Sequence, residues 1–266
     1  MCRTGEKESS KVMKLVLRIA TPMKKLESYD RYLFIGPHPD DIEIGAGSTA
    51  AKLVKSGKTV AFVIALDGRY GLENAKPGTT SDALIEIRKR EAIASAAALG
   101  VSDVRFLGLS DGARYETKDL LHSLAKAIGD FGPDVVFAPD PSLISECHQD
   151  HLNVGEAARQ LAFFAPFAEI MQHYDAKPAP VAAIAYYYTA RPNTYVRTGG
   201  FVNVQLASIF DHHLSQFPPQ RAEAVSVRRY LKLRSFFLGL RRLSLHAEAF
   251  RMLDRTRMHV VSEAGR

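Results

Sequence analysis

"YLFIGPHPDDIEIGAGSTAAKLVKSGKTVAFVIAL", residues 32–66, decides the architecture. "YLFIGP" (32–37) reads as a strand, "IGAGSTAAKLVKSG" (44–57) as a helix ending at Gly57, and "TVAFVIAL" as a second strand. Where the first strand stops, His38, Asp40 and Asp41 stand within four residues, with Pro39 between histidine and acids. Adjacent carboxylates repel, and a buried one without a partner is costly. A bound cation would make this density tolerable, provided further ligands come from elsewhere in the chain.

Working outward, the alternation continues. "SDALIEIRKREAIASAAALG" is helical, with Ser81 as its cap and Gly100 as its end. "VRFLGL" is a third strand, "TKDLLHSLAKAIGDF" a helix, "DVVFAP" a fourth strand and "HLNVGEAARQLAFF" a helix. Strand–helix alternation at this spacing specifies an α/β fold, a mostly parallel Rossmann-like sheet with helices on both faces. After Pro178 the pattern changes. "PVAAIAYYYT" and "FVNVQL" are expected as extra strands, and "LASIFDHHLSQF" and "VSVRRYLKLRSFFLGLRRL" as helices, in the C-terminal third. There is no repeat. The simplest organisation is a basic N-terminal extension, residues 1–28, before a single domain over 29–266.

The chain has 266 residues, 46% of them hydrophobic, enough for one large core. Two cysteines, Cys2 and Cys147, cannot build a disulfide framework, so a reducing, cytoplasmic setting is expected, with Cys147 read as a buried thiol. The formal charge of +6 gathers at the two ends. No nucleic-acid motif accompanies it, so solvated faces or an anionic small molecule are favoured over nucleic acid. No transmembrane segment is expected, because no apolar run approaches about 18 residues. "KVMKLVLRIATPM" is interrupted by Lys14 and Arg18; it reads as an amphipathic arm for the body, a partner subunit or a membrane surface.

Ligands in open α/β sheets bind beyond the carboxyl ends of the strands. The loop after the fourth strand carries "SECHQDHLNVG", with His148, Asp150 and His151 before a helix. Two strand ends thus present histidine and carboxylate to one edge of the sheet. Two histidines plus one carboxylate, with room for water, is a catalytic zinc set.

These residues carry a family resemblance. "PHPDDIEIGAGSTAAKLVKSG" with "HQDH" resembles the LmbE-like, PIG-L-type deacetylases, zinc enzymes that act on N-acetylglucosamine groups. The similarity extends through "DGRYG", "IRKREAIASAAALGV", "LGLSDG", "PDVVFAPDP", "HLSQF" and "HAEAF", about residues 31 to 250. It implies that His38, Asp41 and His151 bind zinc, with Fe2+ the alternative in the cell. Asp40 would be the general base, His148 would stabilise the oxyanion, and Asp150 would orient His148. Arg88 would lie near the substrate sugar, and Arg69 and His213 are further substrate-binding candidates. Glu43 has two readings: an acceptor holding a ligand histidine, or a favourable charge at a helix N-terminus. Ser48 replaces a usual glycine, and the lysine often found before the HxSQ segment is absent. The implied partner is a small N-acetyl sugar, and the implied assembly a homo-oligomer.

The chemistry is coherent. Zinc lowers the pKa of bound water from 15.7 toward about 7 and polarises the acetyl carbonyl. Asp40 would take the water's proton. A protonated His148, kept charged by Asp150, would stabilise the oxyanion, a contribution of about 3 kcal/mol. The amine then leaves with a proton from Asp40 or His148. Three rivals compete with this reading. "GAGSTA" with Asp67 about 20 residues on forms a weak NAD(P) fingerprint. His38-Pro39-Asp40 with a distant histidine resembles a non-haem iron triad. A non-catalytic binding module is the third.

Overall fold

The computed structural model describes residues 16 and 19–261. Most of the expected N-terminal extension and Cys2 therefore lie outside the described residues. Its end does not: Leu26 is buried, and the Tyr32 hydroxyl donates to the carbonyls of Leu26 and Tyr29 at 2.8 Å.

Seven strands form one mixed sheet in the order β3-β2-β1-β4-β5-β7-β6: β1 Arg31–Gly36, β2 Thr59–Leu66, β3 Asp103–Leu109, β4 Val135–Pro139, β5 Ala183–Tyr187, β6 Thr194–Arg197 and β7 Ala247–Asp254. The first five run parallel, with β1 between β2 and β4. Two-residue alternation in β1 sends Leu33 and Ile35 to one core and Tyr32 and Phe34 to the other. Helices therefore cover both faces. The Tyr32 face receives α1 (Asp41–Lys55) and the end of α2 (Ser81–Ala98); the Leu33 face receives α3 (Thr117–Phe131) and α4 (Gln149–Phe164). Short α5 (Ala168–Gln172) follows, then α6 (Val202–Phe210) and α7 (Ala222–Leu240), which share a third, smaller core. Among the described residues no helix is long and apolar enough to cross a membrane.

Several boundaries differ from the sequence reading, each for a physical reason. The first helix begins at Asp41, one residue after Asp40, whose φ of 134° breaks the chain direction sharply. Thr80, not Ser81, caps α2, accepting a hydrogen bond from the Ala83 amide at 3.2 Å. "FVNVQL" is helix, not strand. Its Val-Asn-Val alternation mimics a strand, but Val202, Leu206 and Ile209 recur at helical spacing and face the third core. The next stretch, read as helix, leaves it after Phe210. β6 and β7 pair antiparallel at the sheet edge, and β7 begins within the "HAEAF" segment, at Ala247.

The glycines of "GAGSTA" also change meaning. Gly45 lies inside α1, where an added Cβ would sit 2.3 Å from the Tyr187 ring. It allows α1 to cross the sheet closely, and so does not form the phosphate turn that a dinucleotide fingerprint requires. Ser48 is likewise mid-helix, donating to Gln205 Oε1 at 2.6 Å. The iron-oxygenase rival fares no better, because such enzymes are normally built on double-stranded β barrels and this sheet is open and mostly parallel.

Candidate active site

The strand order reverses direction between β1 and β4, and that switch point is where an open sheet leaves a crevice. Because β1 and β4 are parallel neighbours, the HPDD and HQDH loops emerge side by side. The loop after β1 is held by its own acid: the His38 amide donates to Asp41 Oδ2 at 2.8 Å. The second loop enters α4 with His148 at the cap position.

His38, Asp41 and His151 each present a ligand atom within 4.8 Å of the others. Asp41 Oδ2 lies 3.1 Å from His38 Nδ1, and Asp41 Oδ1 lies 3.3 Å from His151 Nε2. A tetrahedral ion with bonds of about 2.0–2.1 Å holds its ligands roughly 3.3 Å apart, so these separations suit one. The hydrogen bonding points the same way. His151 Nδ1 faces Glu146 Oε2 at 3.1 Å, and His38 Nε2 faces Asp150 Oδ2 at 3.3 Å. Both histidines therefore have carboxylates at both nitrogens. A neutral imidazole has one donor, so each ring needs a second proton or a cation. Charge follows: burial opposes ionisation of Asp41, but His151 and His38 outweigh it and hold the carboxyl well below its ordinary range. A divalent ion fits this donor set. His38, His148 and Asp150 form a second, overlapping group of possible ligands.

Asp40 does not join either group. Arg88 Nη2 donates to Asp40 Oδ2 at 3.2 Å and to the Pro39 carbonyl at 3.0 Å, while Nη1 donates to the Gly68 carbonyl at 3.0 Å. Burial, with Asp41 adding and Arg88 opposing, pushes Asp40 up to about 6. Asp40, Arg88, His38, His148 and Asp150 line one cavity of about 270 Å³ with Tyr70, Gly71, Asp111, Gly112 and Gln216.

Other expectations need correction. Asp150 does not orient His148: that pair is 3.8 Å apart, beyond a hydrogen bond, and Asp150 instead accepts from Gly112 N (2.7 Å), Ala113 N (2.8 Å) and His38. Nor is His148 held charged; burial, then His38 and His151, lower its pKa. Arg69 is bound to Asp67 through Nε at 2.8 Å and does not line the cavity. His213 is fully buried against Glu43, with Nε2 to Oε1 at 3.3 Å, so Glu43 backs His213 and not a ligand histidine, and neither residue lines the cavity. Cys147 is exposed.

Four groups escaped the sequence reading. Glu146, in the quoted "SECHQDH", is the acceptor on His151. Asp111, in "LGLSDG", is buried on the cavity with Oδ1 unpaired. Gln216 ends the HxSQ segment and lines the cavity. Tyr188 adopts φ of 52°, stacks on His151 with centroids 5.8 Å apart, and donates to the Asp41 carbonyl at 3.1 Å. A position at the end of β5, the next strand in the sheet, was its only signal.

A doubly wound sheet with a His/Asp cluster and a polar cavity at its switch point defines an α/β protein whose donor set suits a divalent ion. Residues 33–162, which contain both polar loops, match the family model described as "PIG-L: GlcNAc-PI de-N-acetylase". It is 29% identical over 257 residues to the diacetylchitobiose deacetylase of Thermococcus kodakarensis, covering 95% of this chain and 92% of that one. A 1D-myo-inositol 2-acetamido-2-deoxy-alpha-D-glucopyranoside deacetylase of Kineococcus radiotolerans is 34% identical over 132 residues, covering 46% of this chain and 36% of that one. Among solved structures, the N,N'-diacetylchitobiose deacetylase of Pyrococcus horikoshii superposes with a TM-score of 0.83 at 28% identity, over 95% of each chain. The 4-carboxy-2-hydroxymuconate hydratase GalB of Pseudomonas putida superposes at 0.70 with 19% identity, covering 84% of this chain and 96% of that one. That likeness concerns the fold alone: one scaffold serves different reactions, and the site must decide.

Proposed function

We propose that the chain is a metal-dependent N-deacetylase of a small molecule or glycoconjugate containing N-acetylglucosamine. The observation that carries this reading is the cluster of His38, Asp41 and His151, which shares His38 with a cavity that Asp40 and other polar side chains line. Held by His38, Asp41 and His151, a zinc ion would supply Lewis acidity, acidifying water and polarising an acyl oxygen.

The protein's own groups do the rest. Asp40 takes a proton from the water that attacks the acetamide carbon. His148, half exposed on the cavity wall, donates an N–H to the acyl oxygen as it gains negative charge. Collapse breaks the C–N bond, the proton returns from Asp40 to the departing nitrogen, and acetate and a free amine result. Arg88, Asp111 and Gln216 offer donors and an acceptor for sugar hydroxyls. The cavity is smaller than the roughly 300–1,000 Å³ of sites that engulf drug-sized ligands, so it takes one polar ring and leaves the aglycone outside.

The test is amine release, followed with fluorescamine, across a panel of N-acetylglucosaminides. Turnover of at least one member that a chelator abolishes and added zinc restores is the expected result. Stoichiometric metal with no amine from any member would leave a binding module instead.

A further inference from the structure

Helix α7 is apolar on two faces. Ala224, Leu231, Ser235 and Gly239 turn inward and are buried. On the opposite side Leu233, Phe236 and Leu240 follow one another at three- and four-residue spacing, with Val225 about two turns earlier and Tyr230 and Phe237 flanking, all exposed. Leu243 and Leu245 extend the patch beyond the helix at 93% and 71% exposure. A surface helix normally buries one stripe and turns a polar face outward, and a second apolar face implies a second apolar medium.

Charge selects that medium. Residues 222–246 contain six Lys and Arg and one acid, Glu223, a net of +5 against +6 for the whole chain. In a two-fold contact between copies, this face would meet its own positive charge. A protein interface also gathers its apolar groups in a charge-depleted centre. Here Arg229 lies within the stripe and Lys232 and Arg228 beside it. Interleaved Leu, Phe and Arg suit the boundary between acyl chains and anionic headgroups, where long basic side chains lay their stems on lipid and their charges on phosphate.

Both ends of α7 extend this face. Lys24 and Lys25 line a groove of about 730 Å³ with Arg241, Arg242 and Leu243, so the basic N-terminal segment enters the body beside the helix's carboxyl end. At the other end Arg221 donates to the Glu73 carbonyl at 3.2 Å, in a 3₁₀ turn (Gly71–Asn74) whose first residue lines the active-site cavity. We infer that α7 is a peripheral docking face for an anionic lipid surface, with its outward Leu and Phe side chains in the headgroup region and the cavity rim alongside.

The test is co-sedimentation of the full chain with vesicles of phosphatidylcholine alone, and of phosphatidylcholine with phosphatidylglycerol at about three to one. Binding is expected only to the second, and it weakens as salt rises. The Arg229→Ser variant should bind about five-fold more weakly, since each basic residue at an anionic leaflet contributes about 1 kcal/mol. The double variant Leu233→Ser, Phe237→Ser should lose on the order of tenfold or more. These side chains are exposed and outside the site, so melting temperature and amine release stay unchanged, separating a failure here from a failure of the deacetylase reading. Absence of binding at low salt, or binding indifferent to both variants, overturns the inference. So does a discrete oligomer in sedimentation velocity that the double variant dissociates, which would assign the face to a second copy of the chain.

Discussion

Two carboxylates on the first turn of α1, Asp41 and Glu43, are both buried and both meet histidine, yet only Asp41 meets two. Asp41 faces His38 and His151 at the edge of a cavity, and each of those rings meets a second acid. Glu43 faces only His213, and that pair lies away from the cavity: His213 is fully buried with Nδ1 unpaired, and Gln205 Nε2 donates to the Glu43 carbonyl at 2.7 Å. The first group has more acceptors than protons and an opening to solvent. The second balances one acid against one base. An excess of acceptors beside a cavity marks a cation site, whereas a balanced pair away from it fastens helices together.

The sharpest way to break this comparison is at Asp40, which borders the open group without belonging to it. Asp40→Asn should lower turnover by about 10²–10⁴-fold. Metal content, measured by mass spectrometry on the purified variant, should stay stoichiometric. Loss of the metal along with activity would make Asp40 a ligand and dissolve the division of labour between the two aspartates.

Glu146 tests the claim that acids behind the histidines matter. Glu146→Gln leaves His151 in place but weakens the acceptor that sets its Nδ1 proton. Metal affinity should fall about 10–100-fold. An unchanged affinity in a competitive chelator titration would mean that His151 does not depend on Glu146. The pH profile comes next. Burial, assisted by Asp41 and opposed by Arg88, raises Asp40 to about 6. A base acts only when deprotonated, so kcat/KM should fall about tenfold per pH unit as pH drops below about 6, and should level off above it. An acid limb that survives in the residual activity of Asp40→Asn would show that Asp40 is not the group that titrates.

How much of this was legible depended on how local each signal was. The parallel half of the sheet was readable because β1 to β4 are short apolar runs separated by helices with clear stops, and both polar loops follow such runs. The C-terminal third was readable only in part: β5 and α7 fall on runs read as strand and helix, whereas β6 and β7 went unread. β7 is nearly fully buried and carries Glu248 and Arg251 among its apolar residues. Those charges hide a strand, yet they are satisfied by Ser48 N and Thr49 N (3.2 and 2.7 Å) and by Asp140 across more than a hundred residues. The same non-locality misassigned the site's supporting groups. His38, Asp41 and His151 stood out by type and spacing, but which acid backs which histidine is a property of loops that meet only in the fold. Asp150 was expected to serve His148 from two residues away and faces His38 from 112 away. Arg69 was expected near substrate, and its nearest acid, Asp67, holds it instead.

The Glu43–His213 pair offers the smallest effect and the most discriminating one. His213→Gln keeps a donor for Glu43 but removes the charge. Burial opposes protonation of His213, and Glu43 more than offsets it, so the histidine's pKa is raised in the folded state. A raised folded pKa means that the charged pair stabilises fully below the unfolded value near 6.5 and that this stabilisation is lost as pH rises through the folded value. A charge-assisted hydrogen bond contributes about 2 kcal/mol, which corresponds to a fall in Tm of roughly 4–8 °C for a domain of this size. The gap in Tm between the parent chain and His213→Gln should therefore be largest at pH 6 and should shrink at alkaline pH, while kcat and KM stay unchanged. A gap that does not vary with pH would mean that Glu43 and His213 meet as neutral partners. A change in KM at constant stability would put His213 back in contact with substrate and erase the distinction between the two groups.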